Sequence, residues 1–256
     1  MLKSWKEVTL EQYLEISEVL ADKENIEDSS ISLLSILLDL SEKEVSEMPY
    51  SKFLKLEKEI GFVGKPIPTD NKKELIIEDT KFNLLPFNNL EFGAFIDLEH
   101  LLTANKDNYA TNLPQIFATL YRRVVKEGDS FQEPVYETYS NWPKLRSKQY
   151  YQMPITDLYG TLIDYMNFRS KLFASYEGLF AEKEDSDGEI DYTGLTSKEI
   201  DAIKNEERIA KWGWELLLLK LADKDPLKIE QATKMPIIQA LNILSMHQEL
   251  KLGEKS

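Results

Sequence analysis

The side chains that could bind a metal ion are concentrated at one place in the sequence. Asp97, Glu99 and His100 fall within four residues, whereas the second histidine, His247, lies far along the chain. Carboxylates and imidazoles are the usual protein ligands of divalent cations. On a helix, however, Asp97 and Glu99 are two positions apart and point to different sides. We therefore interpret these residues as a half-exposed polar face and expect no metal site.

The residue patterns of other active sites are missing. Neither histidine is followed by another histidine four residues later, and the sequence contains no phosphate-binding P-loop, no dinucleotide fingerprint and no nucleophile elbow. Cysteine is absent, which excludes disulfides and thiolate ligands. The sequence predicts no catalytic residue, no cofactor and no enzymatic activity.

An acidic segment follows residue 180 and predicts a division of the chain. Within it, Asp185, Asp187 and Gly188 resemble part of a calcium loop. An EF-hand requires glycine at the sixth position and glutamate at the twelfth, and that register is not met. We interpret residues 181–197 as a solvated linker or loop between a helical domain, residues 1–180, and a C-terminal helical segment, residues 198–256.

The amino-acid composition limits the classes of partner that we expect the protein to bind. Of the 256 residues, 42% are hydrophobic, which is enough for a core, and the formal net charge is −14. An acidic surface repels phosphates and anionic lipids, so we expect no nucleic-acid partner and no membrane partner. The N-terminus is too charged for a signal peptide, and no apolar run approaches the ~18 residues of a membrane span. These features predict a cytoplasmic protein.

Helical periodicity dominates the sequence and predicts a mainly α fold. Residues 1–64 form a helical N-terminal block, in which Thr9 with Gln12 and Ser41 with Glu44 have the spacing of capping boxes. From Leu75 to Leu84 the apolar period changes from 3.6 to 2, which predicts one small β-hairpin.

The stretch from Asn88 to Val125 is predicted to form a central helical hairpin. Asn88 caps the first arm, with Glu91 three residues later, and Asn112 caps the second arm, with Pro114 in its first turn. The apolar stripes of the two arms are Phe92, Phe95, Leu98, Leu101 and Leu102 in the first, and Leu113, Ile116, Phe117, Leu120, Tyr121 and Val124 in the second.

Aromatic residues are frequent in the second half of the chain. Those between residues 126 and 152 are expected to pack onto the core rather than stack on bases, because few cations stand near them. In the C-terminal segment, Trp212 shares a helical stripe with Leu216 and is expected in the core. Gly213, which costs helix stability, is interpreted as a close backbone approach.

The order of segments resembles that of the tail assembly chaperones of tailed bacteriophages. The resemblance rests on WKEVTLEQYLEI near the start, ISLLSILLDLSEKEVSEMP after it, LEFGAFIDLEHLL and NLPQIFATLYRR in the middle, MPITDLYGTLIDYMNF later, and KWGWELLLLKLADKDPLKIEQATKMPIIQALNIL near the end. It covers most of the chain. It implies a non-enzymatic protein in the cytoplasm of a bacterial host that binds the apolar, helical tape measure protein and leaves before the virion is complete.

Large apolar residues also suggest where such a partner would bind. Phe92, Phe95, Phe117, Tyr121 and Trp214 exceed what a small core needs, and we predict that they line a groove between the central hairpin and the C-terminal helices. Two other functions stay open: a structural virion subunit, such as a connector or ring component, and an acidic mimic of DNA. Self-association also stays open.

Overall fold

The computed structural model describes residues 4–21, 26–70, 72–104, 109–128, 134–140, 142–180 and 213–250. These residues are mostly helical, which confirms the mainly α prediction. The helices are α1 (Leu10–Ala21), α2 (Ile26–Leu38), α3 (Glu42–Ser46), α4 (Tyr50–Glu59), α5 (Phe92–Thr103), α6 (Leu113–Leu120), α7 (Trp142–Arg146), α8 (Ile155–Ser175), α9 (Glu177–Phe180), α10 (helical over 213–221), α11 (Ile229–Thr233) and α12 (Ile237–Glu249). The strands are β1 (Glu74–Ile77), β2 (Thr80–Leu84), β3 (Tyr121–Lys126) and β4 (Val135–Tyr136).

The chain forms two compact units. Unit 1 comprises Met1–Leu85 and Leu98–Asn167, and unit 2 comprises Pro86–Asp97 and Phe168–Ser256. The predicted acidic linker, residues 181–197, lies outside the described residues, as do its calcium-like residues and Trp212. Among the described helices, none combines the length and the apolarity that a membrane-spanning helix requires.

Unit 1 contains the predicted β-hairpin as part of a larger sheet. β1 and β2 are antiparallel, with Leu75 opposite Phe82, and the two turn residues Glu78 and Asp79 have φ of 48° and 59°. Positive φ at both positions matches the right-handed twist of the strands, so the turn forms without a glycine. The described sheet has four antiparallel strands in the order β1-β2-β3-β4, which corrects the prediction of a single hairpin.

The central helical hairpin is only partly present. Its second arm ends at Leu120, and Tyr121 and Val124, which were assigned to the helical stripe, lie in β3. Pairing with β2 satisfies the backbone groups of this segment in the sheet rather than in a helix. Asn112 occupies the N-cap position of α6, with Pro114 in the first turn as predicted, but its side chain makes no capping bond. Asn88 lies in a 3₁₀ turn before α5, and the Asn112 side chain donates instead to the Leu101 carbonyl, 2.7 Å away.

The two capping boxes of the N-terminal block are confirmed. The Gln12 N–H donates to Thr9 Oγ1 (3.3 Å), and the Thr9 N–H donates to Gln12 Oε1 (3.2 Å). Ser41 and Glu44 make the same reciprocal pair, at 3.3 and 2.9 Å. Each box joins residues three positions apart, so local sequence is sufficient to specify it.

A short antiparallel bridge joins two helix starts in unit 1. Thr9 faces Pro154 in an isolated bridge. The Leu10 N–H donates to the Met153 carbonyl (2.8 Å), and the Ile155 N–H donates to the carbonyl of Val8 (2.9 Å). These bonds hold the start of α1 beside the start of α8.

Unit 2 contains the same arrangement. Glu91 faces Pro236, the Phe92 N–H donates to the Met235 carbonyl (2.7 Å), and the Ile237 N–H donates to the Leu90 carbonyl (2.8 Å). In both units the second helix follows a Met-Pro pair, and the bridged residues are separated by the same number of positions. The two units therefore share an internal structural repeat at this joint, which the sequence analysis did not predict.

The close backbone approach occurs at a different glycine from the one predicted. Among the described residues, a Cβ added at Gly213 would meet no atom within 4 Å, so this part of the chain shows no close backbone approach at Gly213. A Cβ added at Gly93 would lie 2.9 Å from Thr233 Cβ. Gly93 is thus the position in unit 2 where a side chain would separate two packed segments.

Candidate functional site

Three of the five predicted partner-binding residues meet in unit 2. The ring of Trp214 lies 5.3 Å from that of Phe95 and 6.3 Å from that of Phe92, and it stacks against Phe173 at 6.3 Å. Phe92 and Phe95 have no exposed surface, whereas Trp214 is partly exposed. The cluster is a core in which Phe92 and Phe95 are covered, while Trp214 and Phe173 are each partly exposed.

The other two predicted residues, Phe117 and Tyr121, belong to unit 1 and are also fully buried. The Tyr121 hydroxyl donates to the carbonyl of Lys72 (2.7 Å) and lies 2.8 Å from Thr161 Oγ1. Burial raises the pKa of the Tyr121 phenol to about 12, and the hydrogen bond with Thr161 opposes this shift. A partner would reach these side chains only after their neighbours moved. Their role in partner binding stays a prediction.

The potential metal ligands lie on different sides of α5. Asp97 and His100 are exposed, whereas Glu99 is buried, so the description of all three as half-exposed is wrong for Glu99. In the part of the chain that the structure describes, no group of three His, Asp or Glu side chains is arranged to hold a metal ion.

A surface cleft of about 260 Å³ in unit 1 was not predicted. It lies between one face of the sheet and the segment of α7 and the following 3₁₀ helix, Ser147–Tyr150. Cross-strand pairing sets Ile77 opposite Thr80 and Phe82 opposite Arg123, so these four residues share the face of the sheet that lines the cleft. The lining residues are Ile77, Thr80, Phe82, Arg123, Glu137, Trp142, Leu145, Arg146 and Gln149.

One wall of the cleft is apolar and open to solvent. Trp142 is 50% exposed and Leu145 is 68% exposed, although both are large apolar side chains. Behind them, the Arg146 guanidinium lies 5.2 Å from the Phe82 ring centroid and 5.9 Å from that of Trp142. Arg146 also forms an ion pair with Glu137. Cation–π contacts and the ion pair hold this wall in place before any partner arrives.

The residues that line the cleft include two cations, Arg123 and Arg146, and one carboxylate, Glu137. The segments 121–126 and 142–150 contain six cations and no carboxylate. Glu137 is paired with Arg146, and Glu78 accepts a hydrogen bond from Gln149 Nε2 (3.0 Å). Arg123 is exposed, and its guanidinium makes no ion pair with any residue in the described ranges. Within the described ranges, Arg123 is thus an exposed guanidinium without an ion pair, and it lines the same cleft as Trp142 and Leu145.

The sequence contained a signal for this cleft. Trp142, Leu145 and Arg146 lie within one short run, and Arg123 stands in another. Their convergence depends on the pairing of β2 with β3 and on the packing of α7, neither of which the sequence analysis predicted.

Comparison of the chain with models of protein families, with characterised proteins and with solved structures found no match.

Proposed function

We propose that this chain is a non-enzymatic assembly protein, a tail assembly chaperone that holds the tape measure protein of a tailed bacteriophage during tail morphogenesis. The observation that carries the proposal is the serial resemblance of its segments to that family. Each segment falls on a folded element of this chain where the structure describes it: α1, α2 with α3, α5, α6, α8, and α10 to α12.

The surface of unit 1 has the properties that such a chaperone needs. A long apolar helix aggregates unless its apolar stripe is covered, and a helix that lies in a groove is anchored by a few large side chains. Tyr50, Trp142 and Leu145 are exposed by half or more. The net charge of −14 keeps a protein with exposed apolar groups soluble and separate from its own copies.

The cleft supports a docking site better than the predicted groove does. Phe92, Phe95, Phe117 and Tyr121 are already covered by the fold and contribute their apolar area to stability. Trp142 and Leu145 still have area to bury, and hot spots of binding are enriched in tryptophan and arginine. We therefore propose that the partner docks at the cleft.

Co-expression with a candidate tape measure protein tests the function. The expected result is a soluble complex recovered by an affinity tag on this chain, and an insoluble tape measure protein when this chain is omitted. Purified mature virions should lack this chain. Its presence in them would contradict a chaperone and favour a structural subunit, and an unbound, soluble tape measure protein would contradict both partner and role.

A further inference from the structure

We propose that the cleft of unit 1 binds a segment of the partner that presents one large apolar side chain next to a carboxylate. This inference rests on the proposed function, because the partner is taken to be the tape measure protein. It adds the chemistry by which that partner is recognised.

The size of the cleft favours a protein side chain. Sites for drug-sized molecules enclose roughly 300–1,000 Å³. The cleft is smaller, at about 260 Å³, and it is open on the side of Trp142 and Leu145. A single large side chain from a docked segment fills such a space, and the rest of that segment lies outside along the rim.

The lining determines which side chain enters. Ile77, Phe82, Trp142 and Leu145 provide apolar contacts, so the inserted group is apolar. Two of the charged residues that line the cleft, Arg146 and Glu137, are already paired with each other. A carboxylate inserted deeply would compete with Glu137 for Arg146, which makes insertion of a charged group unfavourable.

The charge at the rim of the cleft determines which residue of the partner lies next to the inserted side chain. Arg123 is exposed and without an ion pair among the described residues, and Lys144 and Lys148 are exposed on the adjoining segment. A carboxylate beside the inserted side chain pairs with Arg123, whereas a cation there is repelled. Of the nearby carboxylates, Glu137 is paired with Arg146 and Glu78 accepts a hydrogen bond from Gln149. The more distant negative charges oppose an acidic segment only weakly at physiological ionic strength, where the Debye length is about 8 Å.

Two labelled helical peptides of about 15 residues test this chemistry without any phage protein. Both carry the same leucine stripe. One has glutamate next to each leucine, and the other has lysine at those positions. Fluorescence anisotropy should show the glutamate peptide binding at least tenfold more tightly, and the indole signal of Trp142 should shift on binding. Equal binding, preference for the lysine peptide, or no binding at millimolar concentration would overturn the proposal.

Variants locate the contact. Arg123→Glu should remove the preference for glutamate, and Leu145→Ala and Trp142→Ala should weaken both peptides. Lys55→Glu makes the same change of charge at an exposed position of α4 and should leave binding unchanged. Leu145 is largely exposed, so its variant keeps the fold even if Trp142→Ala does not. If Lys55→Glu weakened binding as much as Arg123→Glu, the rim would have no specific role.

The same variants in the co-expression assay separate the two proposals. If the tape measure protein binds the wild-type chain and all variants equally, the function stands and the cleft is wrongly assigned. If the glutamate peptide binds in the cleft but the tape measure protein does not bind, the recognition chemistry stands and the proposed function fails.

Discussion

Replacing Tyr121 by phenylalanine tests whether this residue belongs to the core. The substitution removes only the hydroxyl, which bonds the Lys72 carbonyl at 2.7 Å and Thr161 Oγ1 at 2.8 Å. A net hydrogen bond contributes roughly 0.5–1.5 kcal/mol, so losing two costs about 2 kcal/mol in the free energy of unfolding. Urea unfolding followed by circular dichroism measures this loss.

A double-mutant cycle with Thr161→Val isolates the bond between the two side chains. We expect the double variant to lose about 1 kcal/mol less stability than the sum of the losses of the two single variants, because each single variant already removes the shared hydrogen bond. Tyr50→Phe is the control, because Tyr50 is 74% exposed and its substitution should leave stability unchanged. Strict additivity of the stability losses of Tyr121→Phe and Thr161→Val would refute the hydrogen bond. If Tyr121→Phe lost partner binding but not stability, Tyr121 would belong to the predicted binding site rather than to the core.

The stability at high pH gives a second test of Tyr121. Burial raises the pKa of the folded phenol from 10.0 to about 12. The pKa of Tyr121 is higher in the folded protein than in the unfolded protein. The contribution of the neutral phenol to the free energy of unfolding is therefore fully present below pH 10 and is lost as the pH rises to 12. A pKa difference of two corresponds to about 3 kcal/mol in the free energy of unfolding. The wild type should therefore lose its greater stability relative to Tyr121→Phe between pH 10 and pH 12. Burial also raises the pKa of Tyr150 in both proteins, and Tyr121 adds a smaller increase that the Tyr121→Phe variant lacks. An unchanged advantage at pH 12 would show that the phenol has the same pKa in the folded and the unfolded protein, and therefore that burial does not raise the pKa of Tyr121.

Two further predictions concern backbone positions. Gly93→Ala should destabilise unit 2 by about 1–3 kcal/mol, because its new methyl group lies 2.9 Å from Thr233 Cβ. Gly213→Ala should be neutral or stabilising by up to ~1 kcal/mol, because the methyl group meets no atom of the described residues and alanine favours the helix. Thermal melts of the two variants measure this contrast, and equal destabilisation would contradict it. Ser41→Ala should cost about 1 kcal/mol, because the Glu44 N–H loses its capping acceptor. A denaturant midpoint equal to that of the wild type would show that this cap is unimportant.

Strand β3 shows why part of the fold was mispredicted. Tyr121 and Val124 continue the apolar spacing of α6, so a helix was the natural interpretation of a segment this short. The strand forms because Tyr121 pairs with Leu84 and Arg123 pairs with Phe82, residues about forty positions earlier. Propensity within a short window is weak, and such long-range pairing overrides it.

The candidate site shows the same limit. The burial of Phe92 and Phe95 depends on Phe173 and Trp214, which lie in distant parts of the sequence. An apolar stripe predicts that a helix will bury one face, but it does not specify whether a core or a partner covers that face.

The sequence by itself determined the features that depend on neighbouring residues. The capping boxes of Thr9 and Ser41, the predominance of helix and the hairpin from Leu75 to Leu84 involve groups only a few positions apart, so local geometry is sufficient. Tertiary structure alone decided the strand identity of Tyr121, the close approach of Gly93 to Thr233, and the cleft that Arg123 and Trp142 both line. Each of these joins residues far apart in the chain, and their proximity is stabilised only when the whole unit packs.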